Sequence, residues 1–390
     1  MAGYIVALGL KNKSQNREKL HTQIKDVLTE IISTGVYSTN LNIKNSYWSI
    51  PNEGTFADYL SMREGDNIYF FIDRKIYGIG KLVNINGRCI HLNFPDADIP
   101  ESDSYSNLKK HMILNKKENM QNRFLCTFEA DPLFFKEGVD MDDVLSSNPE
   151  AFKMLRFFQQ LSFIKIDDIE NKALQDILLK KNEEQLSLKS NVFEVSKHIH
   201  SRIQQIATDD YIANAKNLLK LASNQGAIEH EMAIEAGIID YIINNPNSIF
   251  GKWDYVSHQV AASPFKPVIY VDKMDVFGYK NIEGYQTISK YLMIEIKKDK
   301  ADKEVIHQAM KYVDWINQEY SFGDYDMIQA YIVAKEFPEE VIQTRNEFAE
   351  RAFIKGRRPP ITSVWNNLKL IEYHFDDELE VLRFKEVEYK

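Results

Sequence analysis

Two cysteines in 390 residues, Cys89 and Cys126, are too few for a disulfide framework, and they show no metal-binding spacing. Both sit among apolar neighbours and read as buried free thiols of a reducing, cytoplasmic compartment. Basic charge is short as well: 48 Lys and Arg stand against 57 Asp and Glu, a net charge of −9. That excludes a chain that holds nucleic acid by its whole surface, though a local basic patch remains open. Long apolar runs are missing, so neither a membrane span nor a membrane partner is expected. The opening Met1-Ala-Gly-Tyr-Ile-Val-Ala-Leu-Gly-Leu10 lacks a basic lead and reads as a strand rather than a signal peptide. No internal repeat and no low-complexity tract is present.

What is present supports real cores. The apolar share is 44%, with 22 Phe, and the length implies two or three domains. After the strand at 3–10, residues 17–33 carry Leu20, Ile24, Val27, Leu28, Ile31 and Ile32 in helical phase. Strand patterns follow at 67–72 and 76–83, joined through Asp73-Arg74-Lys75, and again at 88–94 and 123–130. Residues 145–182 add two helical segments around Ser162-Phe163-Ile164-Lys165-Ile166. Residues 183–225 read as a helical connector, in which Thr208 or Asp210 would cap a second helix. His198 and His200, two apart in a helix, cannot share a face and read as ordinary helix residues.

The chemistry concentrates downstream. The run Tyr291-Leu-Met-Ile-Glu-Ile-Lys-Lys298 is apolar except at its end. In a strand, residues i and i+2 share a face, so Glu295 and Lys297 point one way and Ile294 and Ile296 the other. Asp275, in Val271-Asp-Lys-Met-Asp-Val-Phe-Gly278, ends a preceding strand, with a hairpin through Gly278 and Gly284 between the two. Two carboxylates and an ammonium at a sheet edge make a hard-oxygen pocket suited to Mg²⁺, with Mn²⁺ as the alternative. Glu231 and Glu235 lie on one face of an amphipathic helix with Ile238, Ile239 and Ile242, which closes at Asn245-Pro246. Gln308 and Tyr312, four apart, sit on a helical stripe of Ile306, Ala309, Met310, Val313 and Ile316. Taken singly, Glu295 and Lys297 could be a solvated charge pair of an edge strand and Asp275 a turn acid. The ordered set favours a site.

That order, Asp275, then Glu295-Ile296-Lys297, then Gln308-x-x-x-Tyr312, resembles the PD-(D/E)XK nuclease superfamily. The stretch from Ile294 to Val313 looks like its mismatch-specific endonuclease branch. The resemblance covers roughly residues 228–375. It implies a restriction-endonuclease-like mixed sheet flanked by helices and Mg²⁺-dependent hydrolysis of DNA phosphodiesters. It assigns Asp275 and Glu295 to the metal, with the Ile296 carbonyl as an extra ligand. Lys297 would orient water or stabilise charge, and Glu231 or, preferably, Glu235 would anchor the metal or a second water. Gln308 and Tyr312 would buttress the site. The branch usually reads Gly-Arg-Ile-Asp where this chain has Asp272-Lys-Met-Asp275. Lys273 would replace the arginine, and Asp272 stands as the other aspartate, though Asp275 aligns better.

In the first half, Met62-Arg-Glu-Gly-Asp66 before an apolar strand, then Tyr77-Gly78-Ile79-Gly80, resembles the PUA-like group, which includes the EVE, ASCH and YTH domains. That implies a small β-barrel with helices that reads a flipped base by stacking and edge hydrogen bonds. Tyr47, Trp48, Ser49 and Tyr59 are the candidates for such a pocket, with Trp48 and Tyr59 otherwise core or rim aromatics. The expected architecture is therefore α/β and α+β multidomain. It comprises a PUA-like reader at 1–182, a helical connector at 183–225 and a nuclease domain at 226–390. The expected function is modification-dependent restriction or phage defence. The alternatives are a mismatch or repair nuclease and a non-catalytic nucleic-acid-binding protein. DNA is the expected partner, met through Lys297-Lys298-Asp-Lys300 or the basic stretch 351–360. A homodimer follows if both strands are cut.

Overall fold

The computed structural model describes residues 1–10, 14–41, 43–101, 103–157, 163–262 and 272–388. Ser162 and Val271 lie outside them. The chain forms two units, Met1–Ala213 and Asn214–Lys390.

In the first unit, β1 (Gly3–Ala7) leads into α1 (Arg17–Thr34). The Asn16 side chain caps α1 by accepting from the Glu18 and Lys19 amides, and Gly35 ends it at φ +65°. Then come β2 (Val36–Asn40), β3 (Ile43–Lys44), β4 (Tyr47–Trp48) and α2 (Ile50–Ser61), followed by β5 (Asn67–Ile72) and β6 (Lys75–Leu82). The unit continues with β7 (Ile90–Leu92), α3 (Tyr105–Leu108), β8 (Asn122–Ala130), β9 (Val139–Asp140) and α4 (Met141–Ser147). It closes with β10 (Phe163–Ile166), α5 (Asp168–Lys181) and α6 (His198–Ile206). The main sheet runs β10-β1-β5-β6-β8-β2, with β7 on β8 and β9 on β6. Only β1 and β5 pair in parallel in that path. Among the described residues its two end strands, β10 and β2, share no backbone pairing, but their Tyr37 and Phe163 rings meet edge-on at 5.6 Å.

The second unit holds α7 (Lys216–Ala222), β11 (Ser223–Asn224), β12 (Ala227–Ile228), α8 (Glu231–Asn244) and β13 (Tyr255–Ala261). After these come β14 (Lys273–Asn281), β15 (Ile288–Ile296), α9 (Glu304–Glu319) and β16 (Ile328–Ala334). Last are α10 (Glu339–Phe348), β17 (Arg351–Arg357), β18 (Pro360–Trp365), β19 (Leu368–Asp376) and β20 (Val381–Glu386). One mixed sheet runs β13-β14-β15-β16-β19-β20, and β17 and β18 form a separate hairpin. β15 pairs antiparallel with β14 and parallel with β16, which puts it inside the sheet and explains its two apolar faces. α8 packs on β13, β14, β15 and β20, while α9 packs on β15 and β16.

Several expectations change here. Asp275 lies near the start of β14, not at a strand end. Gly278 is inside that strand: a Cβ there would stand 2.5 Å from the Tyr255 carbonyl oxygen, so glycine lets β13 close on β14. The hairpin turn is beyond it, where Gly284 adopts φ +81°. Of residues 183–225, α6 belongs to the first unit, where His200 Nε2 hydrogen-bonds the Gly35 carbonyl at 2.9 Å. α7 belongs to the second and starts at Lys216, not after Asp210. No described helix is long and apolar enough to cross a membrane.

Candidate active site

The site grows from the end of β15. Tyr291, Met293 and Glu295 share one face, and Leu292, Ile294 and Ile296 the other. All six are buried, and Glu295 is 1% exposed. The register Val276↔Ile294, continued one step, sets Asp275 opposite Glu295 on the same face. Asp275 Oδ2 accepts the Ile296 amide at 2.7 Å. Asp275, not Asp272, is therefore the aspartate beside Glu295. Lys297 lies just past the strand, with 32% of its side chain exposed and Nζ 2.8 Å from Glu295 Oε1. The Lys297 amide donates to Val333 in β16. Because a trans peptide sets C=O against N–H, the Ile296 carbonyl turns the other way, toward β14.

α8 supplies the third acid. Its faces are apolar nearly all round, with Ala233, Ile234, Ala236, Ile238, Ile239 and Ile242 buried. Glu235, in their midst, is 2% exposed. A buried carboxylate needs donors. Glu235 has two from β13: His258 Nδ1 at 3.2 Å from Oε2, and the Gln259 amide at 2.8 Å from Oε1. Gln259 also reaches Asp275 Oδ1, at 3.3 Å. Glu231, the first residue of the helix, stays exposed and accepts from the Lys298 amide at 3.3 Å. Gln308 donates to the Tyr312 hydroxyl at 3.1 Å, from the stripe of α9 that faces the sheet.

The electrostatics are those of crowded acids. Burial, then the charges of Glu295 and Glu235, hold the Asp275 carboxyl well above the usual carboxylate range. Burial also raises Glu295, opposed by Lys297 and reinforced by Glu231. Burial pulls Lys297 down, but Glu295, Asp275 and Glu231 outweigh it and the ammonium is held more firmly than usual. Burial lifts the Tyr312 hydroxyl, and the charges of Glu295, Asp275 and Asp272 add to it.

One buried polar atom without a donor lies within the site. Glu295 Oε2 is buried and finds no hydrogen-bond donor. The carboxyl within its reach is Asp275, and two carboxylates at that range need a proton or a cation between them. That donor set, hard oxygens with a neighbouring ammonium, fits Mg²⁺, which is held by one or two carboxylates and keeps several waters. Among the described residues no three His, Cys, Asp or Glu side chains converge as a full metal cage. A two-carboxylate site completed by carbonyl and water is compatible with that.

The structure thus brings together Asp275, Glu295, Lys297 and Glu235, with Glu231 at the rim and Tyr312 within electrostatic reach. His258 and Gln259 escaped the sequence reading. The available signal was Ser257-His258-Gln259, three polar residues inside an otherwise apolar strand. The two basic stretches are largely occupied by acids: Lys298 by Asp299, Lys300 by Glu336, Arg351 by Asp314 and Lys355 by Asp326.

The four aromatic-pocket candidates of the first unit differ in exposure. Tyr47 is 62% exposed, while Trp48 and Tyr59 are core residues. Trp48 Nε1 donates to the Asp98 carbonyl at 3.0 Å, and its ring packs edge-on against Phe56. The buried Arg123 guanidinium lies 5.2 Å above the same ring and donates to the carbonyls of Ala97, Ile99 and Glu101. The Tyr59 hydroxyl accepts from the Thr39 amide at 3.0 Å. Ser49 is half-buried at the start of α2. The Trp48 and Tyr59 rings thus both take part in core packing. Cys89 and Cys126 are free and buried, and burial pushes the Cys89 thiol up to about 12, which keeps it unreactive.

No protein-family model matches the chain, and no curated protein matches it. Among solved structures, it is similar to a repair endonuclease from Pyrococcus abyssi, at 22% identity and a TM-score of 0.22. The match covers 33% of this chain and 46% of that one, so this chain spans less than half of that enzyme's length. A likeness so slight sets neither fold nor activity.

Proposed function

We propose that the second unit hydrolyses DNA phosphodiester bonds with Mg²⁺, or Mn²⁺ in its place, as an endonuclease. The observation that carries this is the buried, donorless Glu295 Oε2 beside Asp275 and next to the Lys297 ammonium. The Asp275, Glu295-x-Lys297 order, which resembles the PD-(D/E)XK nucleases, supports DNA as substrate. Asp275 and Glu295 would hold the ion, with the Ile296 carbonyl turned to the same edge. When bound, the ion supplies Lewis-acid neutralisation of charge on the scissile phosphate and lowers the pKa of water. Lys297, anchored through one oxygen of Glu295, presents its remaining donors to the developing phosphate charge. Glu235 sits behind Asp275 and raises its basicity, and the charge of Glu231 at the rim helps hold Lys297 as an ammonium. Tyr312 and Gln308 brace the helix side of the cluster.

The test is cleavage of plasmid DNA by the full chain, with Mg²⁺ or with a chelator. Metal-dependent nicking or linearisation is expected. Its absence on every substrate, with metal binding also absent, contradicts the proposal. The substrate panel separates the finer roles. Preference for DNA from a modifying host supports restriction or defence, and preference for mismatched duplex supports repair.

A further inference from the structure

Consecutive side chains of a regular strand point to opposite faces. In β13 they do not. His258 and Gln259 both reach Glu235, one at each carboxylate oxygen. The backbone supplies the reason, because Gln259 adopts φ +53°. The β13–β14 ladder pairs His258 with Val276 and Val260 with Met274, and leaves out the pair between them, Gln259 and Asp275. A left-handed, non-glycine residue costs of order 1–3 kcal/mol and persists only where its surroundings over-determine it. What holds this one is its amide, shared between Glu235 Oε1 at 2.8 Å and Asp275 Oδ1 at 3.3 Å. Only the NH₂ end can face two carboxylate oxygens, so the amide's orientation follows from its partners. Gln259 thereby ties an acid of α8 to an acid of β14.

We propose that Gln259 is a positioning residue of the cation site: its left-handed backbone aims one amide at both Glu235 and Asp275, fixes their spacing, and so favours Mg²⁺ over Ca²⁺. The proposal rests on the metal reading given above. Gln259 acts through Asp275 and touches neither ion nor substrate. The expected selectivity follows from coordination chemistry. Mg²⁺ demands near-ideal octahedral geometry, whereas Ca²⁺ accepts irregular shells, so a loosened Asp275 penalises Mg²⁺ more.

The experiment uses the full chain with Gln259→Gly and Gln259→Asn. Glycine removes the strain together with the amide. Asparagine tolerates the left-handed backbone and keeps the NH₂, but it is one methylene too short to span both acids. Melting is measured in chelator, and Mg²⁺ and Ca²⁺ affinities by calorimetry. A donor lost from buried Glu235 offsets the strain that glycine relieves, so both variants should stay folded and melt close to the wild type. Their Mg²⁺ affinity should fall about 10–100-fold, the range for a lost outer-shell partner, and their Ca²⁺ affinity by clearly less. Unchanged Mg²⁺ affinity in either variant overturns the proposal. So does a parallel loss of both ions with a lowered melting point, which is the signature of a structural role. If the wild type binds Mg²⁺ and the variants bind it equally, the metal reading survives and the role of Gln259 fails. If the wild type binds no Mg²⁺, both fall.

Discussion

Replacing Asp275 by Asn should make the metal-free protein's stability less dependent on pH and remove its response to Mg²⁺. A carboxyl whose folded pKa is raised binds its proton more tightly in the native state than in the unfolded chain. For Asp275 the causes are burial, Glu295 and Glu235. The native state therefore carries the excess proton from the unfolded aspartate value, about 3.9, up to the raised folded value. Through that window stability falls as pH rises, by up to about 1.4 kcal/mol per pH unit for each excess proton. Above the folded value the full penalty is present. Asn keeps an acceptor for the Ile296 amide but turns its NH₂ toward the Gln259 donor, a lost hydrogen bond costing about 1 kcal/mol. The two effects oppose each other, so the curves cross. At the acid end of the window the variant should melt below the wild type, and at alkaline pH above it. For a unit of this size each kcal/mol moves the melting point about 2–4 °C. Mg²⁺ at about 100 times its dissociation constant should stabilise the wild type by about 2.7 kcal/mol, and the variant hardly at all. The assay is thermal melting across pH, in chelator and in Mg²⁺. Parallel curves for the two proteins in chelator, with equal Mg²⁺ shifts, refute the reasoning.

Lys297→Ala should lower the single-turnover cleavage rate by about 10²–10³-fold with little change in DNA affinity, since its donors act on charge that develops in the transition state. An affinity loss with the rate intact at saturating protein would recast Lys297 as a phosphate contact. Trp48→Ala should destabilise the first unit by about 3–5 kcal/mol in denaturant melts, because its ring fills the core between Phe56 and Arg123. A variant that keeps full stability yet loses preference among modified bases would restore Trp48 as a stacking residue.

The sequence carried more of the second unit than of the first. The stripe Ile306, Ala309, Met310, Val313 and Ile316 is buried along one face of α9, because helical period is a property of the chain alone. Asp275 and Glu295 meet because strand alternation fixes faces before any partner is known. Gln259 was illegible for the same reason in reverse: one left-handed residue breaks the alternation that a reader of sequence must assume. Trp48 and Tyr59 show another limit. An aromatic ring in a pocket and one in a core have the same local pattern, and only the packing of Arg123, Phe56 and Phe124 separates them. The connector was blurred because the apolar stripe of α6 has its partners far away in sequence. Ile199 and Ile203 join a core with Val36, Ile113 and Leu125.

The most direct test of the central claim is Glu295→Gln in a Mg²⁺-dependent DNA cleavage assay. The substitution keeps the shape of the side chain and removes the charge on the donorless oxygen. The account predicts a folded protein that no longer cuts and no longer binds Mg²⁺, beside a wild type that does both. A variant that cuts DNA at the wild-type rate, with the same metal dependence, would contradict it.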